Sequence, residues 1–113
     1  MSGKSREGKT MEQEQRGAPR FPFIAAAEVL AENAGSRMNA RISDLSVSGC
    51  YVDTINPLAD GTLVRVKIVT ETQIFEAPAR VVYSHIHLGM GLVFREIQPN
   101  FLDVLQNWLP ATV

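Results

Sequence analysis

The dominant feature of the sequence is an alternation of apolar and polar side chains that recurs through most of residues 21–94. Because successive side chains of a β-strand point to opposite faces, this alternation predicts strands with one buried face. The alternation is clearest in residues 37–43, 62–69 and 75–83. The alanines within residues 21–30 also permit a helix there. Asn-Ala-Gly-Ser at 33–36 and Asp-Gly at 60–61 predict turns between strands.

The period of the pattern changes at the C-terminal end. Phe101, Leu105 and Trp108 recur at helical spacing between Pro99, which suits a first helical turn, and Pro110, which ends the helix. About six short strands followed by one amphipathic helix predict an all-β fold. We expect a small six-stranded antiparallel β-barrel with a C-terminal α-helix that covers an opening or contacts a partner.

Length and charge narrow the class of protein. A chain of 113 residues predicts one domain, with a disordered N-terminal tail at 1–13 and a folded domain at 14–110. Residues 1–20 carry five basic and three acidic side chains, whereas residues 21–113 carry six basic and nine acidic ones. This mildly acidic body does not suit long nucleic acid, so we expect any anionic ligand to be small. Met1 and Met11 remain alternative start residues.

Two further expectations concern location and metals. No apolar segment has the length or position of a signal peptide or a membrane span, so we expect a cytoplasmic chain without membrane insertion. The single Cys50 excludes an intramolecular disulfide and argues against structural zinc. His85 and His87 lie two residues apart, which would place both on one strand face, but no third ligand lies nearby in sequence, and we expect surface or partly buried histidines rather than a metal pair.

Two short segments concentrate the polar chemistry. Residues 44–49, Asp-Leu-Ser-Val-Ser-Gly, lie between two predicted strands and can present an acid, a hydroxyl and free backbone N–H groups in one turn. Residues 16–20, Arg-Gly-Ala-Pro-Arg, place two guanidinium groups four residues apart in a segment that Gly and Pro keep from being helical. An acidic turn together with a two-arginine arm favours a ligand that is anionic and rich in hydrogen-bonding edges.

These two segments resemble the motifs of the PilZ domain family. The RxxxR motif is complete at Arg16 and Arg20, and the D/NxSxxG motif is complete at Asp44, Ser46 and Gly49. Residues 89–94, Gly-Met-Gly-Leu-Val-Phe, are also similar to the final strand of the family, and the resemblance covers residues 14–109. It implies a receptor for the bacterial second messenger cyclic di-GMP that needs no other cofactor.

The resemblance also implies a role for each motif residue. Arg16 and Arg20 would contact phosphate and guanine, since a guanidinium fork fits both. Asp44 would accept hydrogen bonds from the guanine N1 and N2 donors, and Ser46 would offer its hydroxyl and nearby backbone groups. Gly49 would let the chain pass close to a base. The residue before the first arginine is Gln15, which leaves open whether one ligand or an intercalated pair binds.

The resemblance also implies how ligand binding would be passed on as a signal. Ordering of the arginine arm by the ligand would signal to a downstream protein partner, and the apolar strip of the C-terminal helix is the first place to look for a homodimer contact. No nucleophile–base pair, phosphate-binding glycine loop or metal constellation indicates an enzyme.

Two other functions compete with the receptor. One is a PilZ-like protein–protein interaction module without a nucleotide ligand, and the other is a small RNA-binding barrel, which the acidic body disfavours. For the side chains outside the motifs we expect structural roles. Arg37 and Arg41 face solvent, Cys50 fills the core, and Phe101 and Trp108 pack the helix onto the barrel.

Overall fold

The structure is a computed structural model that describes residues 18–110. Its elements in chain order are β1 Phe21–Ala31, β2 Arg37–Leu45, β3 Gly49–Asp53, β4 Leu63–Val69, β5 Ile74–His85, β6 Gly89–Phe94 and α1 Pro99–Trp108. The strands form a closed barrel in the order β1-β2-β3-β6-β5-β4, and every neighbouring pair is antiparallel. The predicted six-stranded barrel with a C-terminal helix is therefore confirmed. The predicted tail at 1–13 and Arg16 lie outside the described residues.

The apolar positions of the alternating pattern face the inside of this barrel, and the polar positions face the outside. Ile42, Val52, Val66 and Ile68 are fully buried, as are most other inward-facing positions. Closure gives each described strand two hydrogen-bonded neighbours, and the apolar faces then need cover only at the two barrel ends. Residues 21–31 join as a strand paired with both β2 and β4, so the alternative helix does not form there.

Helix α1 covers one end of the barrel through an aromatic cluster. Phe75 is fully buried, and its ring centroid lies 5.0 Å from that of Phe94, 6.2 Å from Phe101 and 6.4 Å from Trp108. The indole Nε1 of Trp108 donates to Oε1 of Gln73 at 3.1 Å, which satisfies its polar atom at the barrel rim. Phe101 and Trp108 thus pack the helix onto the barrel, as predicted. No helix within residues 18–110 combines the length and apolar character that crossing a membrane requires.

The turn between β5 and β6 differs from the prediction. His85 is the last residue of β5, but His87 lies in the turn with φ of 68°, so the two histidines do not share a strand face. Leu88 is also in the turn, directly before the first residue of β6, and is 68% exposed. The reversal of the chain over residues 86–88 ends the alternation there.

Candidate functional site

The strand register aligns four residues in a row across the outer face of the barrel. Asp44 of β2 pairs with Tyr51 of β3, Tyr51 pairs with Gly91 of β6, and Gly91 pairs with Tyr83 of β5. We call these four residues the first row. They are distant in sequence but adjacent in space, because β6 inserts between β3 and β5 in the strand order.

Asp44 reaches the outer face through a β-bulge. Ile42 faces the core, and strict alternation would turn Asp44 inward as well. The register against β3 instead shifts between Ile42 and Asp44, where Ser43 is an extra residue without a counterpart. Ser43 and Asp44 are consequently both half-buried on the outside, while Leu45 is fully buried. The bulge thus re-aims the carboxylate toward solvent.

A second bulge does the same for Tyr83. The pattern of residues 75–83 predicts that Tyr83 shares the inner face of β5 with Val81, but this prediction is wrong. Val81 pairs with Leu92 and Tyr83 with Gly91, so Val82 is an extra residue on β5. The Tyr83 ring lies directly over Gly91, where an added Cβ would stand 2.4 Å from the ring Cζ. Only glycine leaves space for a ring in this position.

Arg20 spans the first row from one end to the other. Its Nη1 lies 3.8 Å from Oδ2 of Asp44, and its Nη2 donates to the Tyr83 hydroxyl at 3.0 Å. The hydrogen bond to Tyr83 raises the pKa of Arg20, so the guanidinium stays charged. The residue that precedes β1 is therefore held against β2 and β5 together. We call this three-residue contact the arginine clasp.

The surroundings of Asp44 shift the pKa of its carboxyl group in opposite directions. Burial raises the pKa of the Asp44 carboxyl above its ordinary value, and this effect outweighs the Arg20 guanidinium and a hydrogen bond from the Tyr51 backbone N–H, both of which lower the pKa. The carboxylate of Asp53 adds a smaller upward effect. A partly desolvated carboxylate of this kind gains from further hydrogen-bond donors that favour its charged form.

Ser46 organises the turn between β2 and β3. It is 4% exposed, and its Oγ accepts hydrogen bonds from the backbone N–H groups of Ser48 and Gly49, each at 3.1 Å. Its own backbone N–H donates to the Gly49 carbonyl at 2.9 Å. The hydroxyl is therefore engaged within the turn, whereas the half-buried Ser48 lies nearer the surface.

The packing of β3 against β6 explains why residue 49 is a glycine. A Cβ at Gly49 would stand 2.0 Å from the carbonyl oxygen of Leu92 and 3.2 Å from Cα of Val93, both backbone atoms of β6. Close approach of β3 to β6 thus requires glycine at this position. The predicted approach of Gly49 to a ligand base stays a prediction.

These side chains border one open pocket of about 280 Å³, a volume that includes space continuous with solvent. Its lining comes from the arm, the β2–β3 turn and the outer face of β5 and β6: Arg20, Asp44, Ser46, Ser48, Gly49, Cys50, Val82, Tyr83, Gly91, Leu92 and Val93. Within residues 18–110, no group of three His, Cys, Asp or Glu side chains is arranged to hold a metal ion. The pocket therefore unites four of the five predicted site residues, and the fifth, Arg16, lies outside the described residues.

Comparison with protein families agrees with this arrangement. The family model described as "PilZ domain" matches residues 14–110 of the chain. The chain belongs to the PilZ family. The match spans the barrel, helix α1 and both arginine positions of the arm. Among curated proteins, no sequence matches this chain.

Solved structures, among them two PilZ domains, share the fold at low sequence identity. The PilZ domain of CeSA from a cellulose-synthesizing bacterium is 18% identical, with a TM-score of 0.63 over 80% of this chain and 93% of that one. The PilZ domain with c-di-GMP of YcgR from Escherichia coli is 16% identical, with a TM-score of 0.67 over 80% and 86%. The Bacillus subtilis inhibitor of motility, MotI/DgrA, is 16% identical, with a TM-score of 0.66 over 92% of this chain and 51% of its own.

Two residues of this PilZ site were not among the predicted ones. Ser48 lies inside the D/NxSxxG motif at a position that the motif leaves free. Tyr83 was assigned to the core because the sequence pattern does not show the bulge at Val82. A tyrosine two residues before a histidine, at the polar end of an apolar strand, is the one signal that could have suggested an outward position.

The role of Ser46 in the turn can be measured as stability. Replacing Ser46 with Ala leaves the buried N–H of Gly49 and the part-buried N–H of Ser48 without their acceptor, so we expect the free energy of unfolding to fall by about 1–3 kcal/mol. Urea denaturation gives this value. The matched control is Ser48→Ala, which removes the 3.1 Å contact between the Ser48 and Ser46 hydroxyls but leaves both backbone N–H groups with their acceptor, and which we expect to cost less than about 1 kcal/mol. Equal values for the two variants would contradict a special role of Ser46.

Proposed function

We propose that this PilZ chain is a non-enzymatic receptor for cyclic di-GMP in the bacterial cytoplasm. The observation that carries the proposal is the arginine clasp, which brings Arg20 and Asp44 together at an open pocket. Further support comes from the family match and from the structural similarity to the PilZ domain with c-di-GMP of YcgR from Escherichia coli.

The chemistry of the clasp suits the two parts of this ligand. Cyclic di-GMP carries two phosphodiester charges and two guanines. Arg20 is charged and about half exposed, so its fork is available to phosphate oxygens or to the O6 and N7 edge of guanine. Asp44 supplies the acceptor for guanine N1 and N2 donors. Arg16, four residues before Arg20, would supply the second guanidinium.

In this proposal, ligand binding replaces the contacts of Arg20 and Asp44 within the protein by contacts with the ligand. In the structure, Arg20 forms an ion pair with Asp44 across 3.8 Å and donates one hydrogen bond to the Tyr83 hydroxyl. A guanine on Asp44 and a phosphate on Arg20 would separate the two side chains and move the arm. We propose that the resulting change at the N-terminal surface is the signal that a downstream protein partner reads.

The pocket residues favour binding without chemical conversion. Cys50 is buried at 6% exposure, and burial strongly raises its thiol pKa, so it does not form the thiolate that a nucleophile needs. The Ser46 hydroxyl faces the N–H groups of its own turn. We therefore propose a binding protein rather than an enzyme.

Calorimetric titration with cyclic di-GMP tests the receptor directly. We expect micromolar or tighter binding by the unchanged chain and a loss of about 10- to 100-fold or more in Arg20→Ala and in Asp44→Ala, because each variant removes a charged hydrogen bond. The control is Arg37→Ala. Arg37 is an exposed arginine at the start of β2 that pairs with Glu28 of β1, and we expect this variant to bind normally. No heat and no thermal shift at about 100 μM ligand would refute the receptor.

The affinity should also depend on pH through Asp44. The charged carboxylate is the form that accepts guanine donors, and burial raises its pKa. Binding is therefore strongest above this raised pKa and weakens as the pH falls through it, which begins at a higher pH than for an ordinary aspartate. We expect Asp44→Asn to bind more weakly with a flatter profile over the same range. Parallel profiles for the two proteins would show that another group controls binding.

Movement of the arm can be followed by hydrogen exchange. We expect cyclic di-GMP to slow amide exchange in residues 14–20 of the unchanged chain, because the ligand would contact both arginines of that segment. The turn at residues 33–36 lies apart from the pocket lining and serves as an internal control. Slowed exchange at the β2–β3 turn, with none in residues 14–20, would remove the arm from the signal while leaving the receptor intact.

A further inference from the structure

A second row of residues lies beside the first row on the same outer face. Arg41 of β2 pairs with Asp53 of β3, Asp53 with Gly89 of β6, and Gly89 with His85 of β5. Arg41 Nε donates to an Asp53 carboxylate oxygen at 3.1 Å. The second row therefore has a charged end on β2 and β3 and an aromatic end on β5.

The glycines of β6 let the neighbouring rings lie flat on the sheet. An added Cβ at Gly89 would stand 2.6 Å from Cε2 of Tyr51, and one at Gly91 would stand 2.4 Å from Cζ of Tyr83. The rings of Tyr51 and Tyr83 thus lie close against β6, and both side chains are half-buried rather than enclosed.

Tyr51, Tyr83 and His85 together form what we call the aromatic platform. The centroid distances are 6.2 Å from Tyr51 to Tyr83, 6.2 Å from Tyr51 to His85, and 5.2 Å from Tyr83 to His85. The three planes are inclined to one another by only 31° to 37°. A hydrogen bond of 3.2 Å between the Tyr51 hydroxyl and Nδ1 of His85 fixes two of the rings together.

If the rings served only to cover the backbone at Gly89 and Gly91, Tyr51 and Tyr83 would be sufficient and no charged side chain would be needed beside them. The platform adds a third, exposed ring and is flanked by Arg20 on one side and by the Arg41–Asp53 ion pair on the other. Accessible aromatic rings beside cationic groups are a surface on which the planar bases of nucleotides stack. The chemical class that fits this surface is a purine attached to a phosphodiester.

We propose that the aromatic platform is a stacking surface for the second guanine of the ligand. The inference rests on the proposed function, in which Asp44 binds the edge of one guanine. Tyr51 is the direct cross-strand neighbour of Asp44, and its backbone N–H bonds the Asp44 carboxylate. A ligand with two bases linked by phosphates can thus place one base at Asp44 and the other over Tyr51 and His85.

Calorimetry with cyclic di-GMP on matched variants tests the platform. We expect Tyr51→Leu and His85→Ala to weaken binding by roughly 5- to 150-fold, the range typical of a lost base–aromatic stack. Tyr51→Phe keeps the ring face and should stay within about threefold of the unchanged chain. The control is Ile86→Ala, which removes an exposed side chain next to His85 outside the platform. In proton NMR, the guanine H8 signal should move upfield in the unchanged chain and less so in Tyr51→Leu.

The outcomes separate this inference from the receptor itself. Normal binding by Tyr51→Leu and His85→Ala, with binding by the unchanged chain intact, overturns the platform and leaves the receptor standing. An equal loss in Tyr51→Phe and Tyr51→Leu overturns stacking as well, because the hydroxyl rather than the ring face would then matter. No binding by the unchanged chain overturns both proposals. Circular dichroism identifies any variant that fails to fold, and His85→Ala, at an exposed strand end, then decides the question.

Discussion

Ser43 and Val82 are each an extra residue opposite a neighbouring strand, and each reverses the side to which the next side chain points. In a strand of strict alternation, Asp44 would bury a carboxylate in an apolar barrel, which costs several kcal/mol for an unpaired charge. The bulge at Ser43 avoids that cost and places the acid on the outside. The bulge at Val82 delivers a phenol to the other end of the same row.

The position of Arg20 depends on both bulges. A guanidinium can contact Asp44 and Tyr83 together only because the register aligns those residues on strands that β3 and β6 separate. The clasp in turn connects the segment before β1 to the opposite part of the barrel wall. The barrel provides the spacing between Asp44 and Tyr83, and the segment before β1 provides the guanidinium that contacts both.

The sequence predicted the fold well because the fold rests on periodicity. Alternation over most of residues 21–94 decides which side chains are buried, and a change to helical spacing after Pro99 identifies α1. Most exceptions arise where the chain leaves that period. Tyr83 was misplaced because a bulge has no strong signature in composition, and His87 was misplaced because it lies in the turn over residues 86–88 that directly precedes β6.

The candidate site was predictable in part, through short motifs rather than through periodicity. Asp44, Ser46 and Gly49 were found through a motif, and the structure places them at one pocket with Arg20. The motif did not reveal why each residue is needed. Ser46 bonds its own turn, and Gly49 fits against the backbone of β6, so both have structural roles independent of any ligand. Such roles depend on contacts between strands that are distant in sequence.

The close approach of Gly49 to Leu92 has a consequence for how relatives of this chain are interpreted. A relative without any ligand would still need Gly49 and Ser46 to fold, so selection for folding alone would retain two of the three residues of the D/NxSxxG motif. The contact between Arg20 and Asp44 is partly exposed and outside the core, and contributes less to folding. Arg20 and Asp44, rather than the glycine and the serine, are therefore the positions at which a relative can change its pocket without losing its fold.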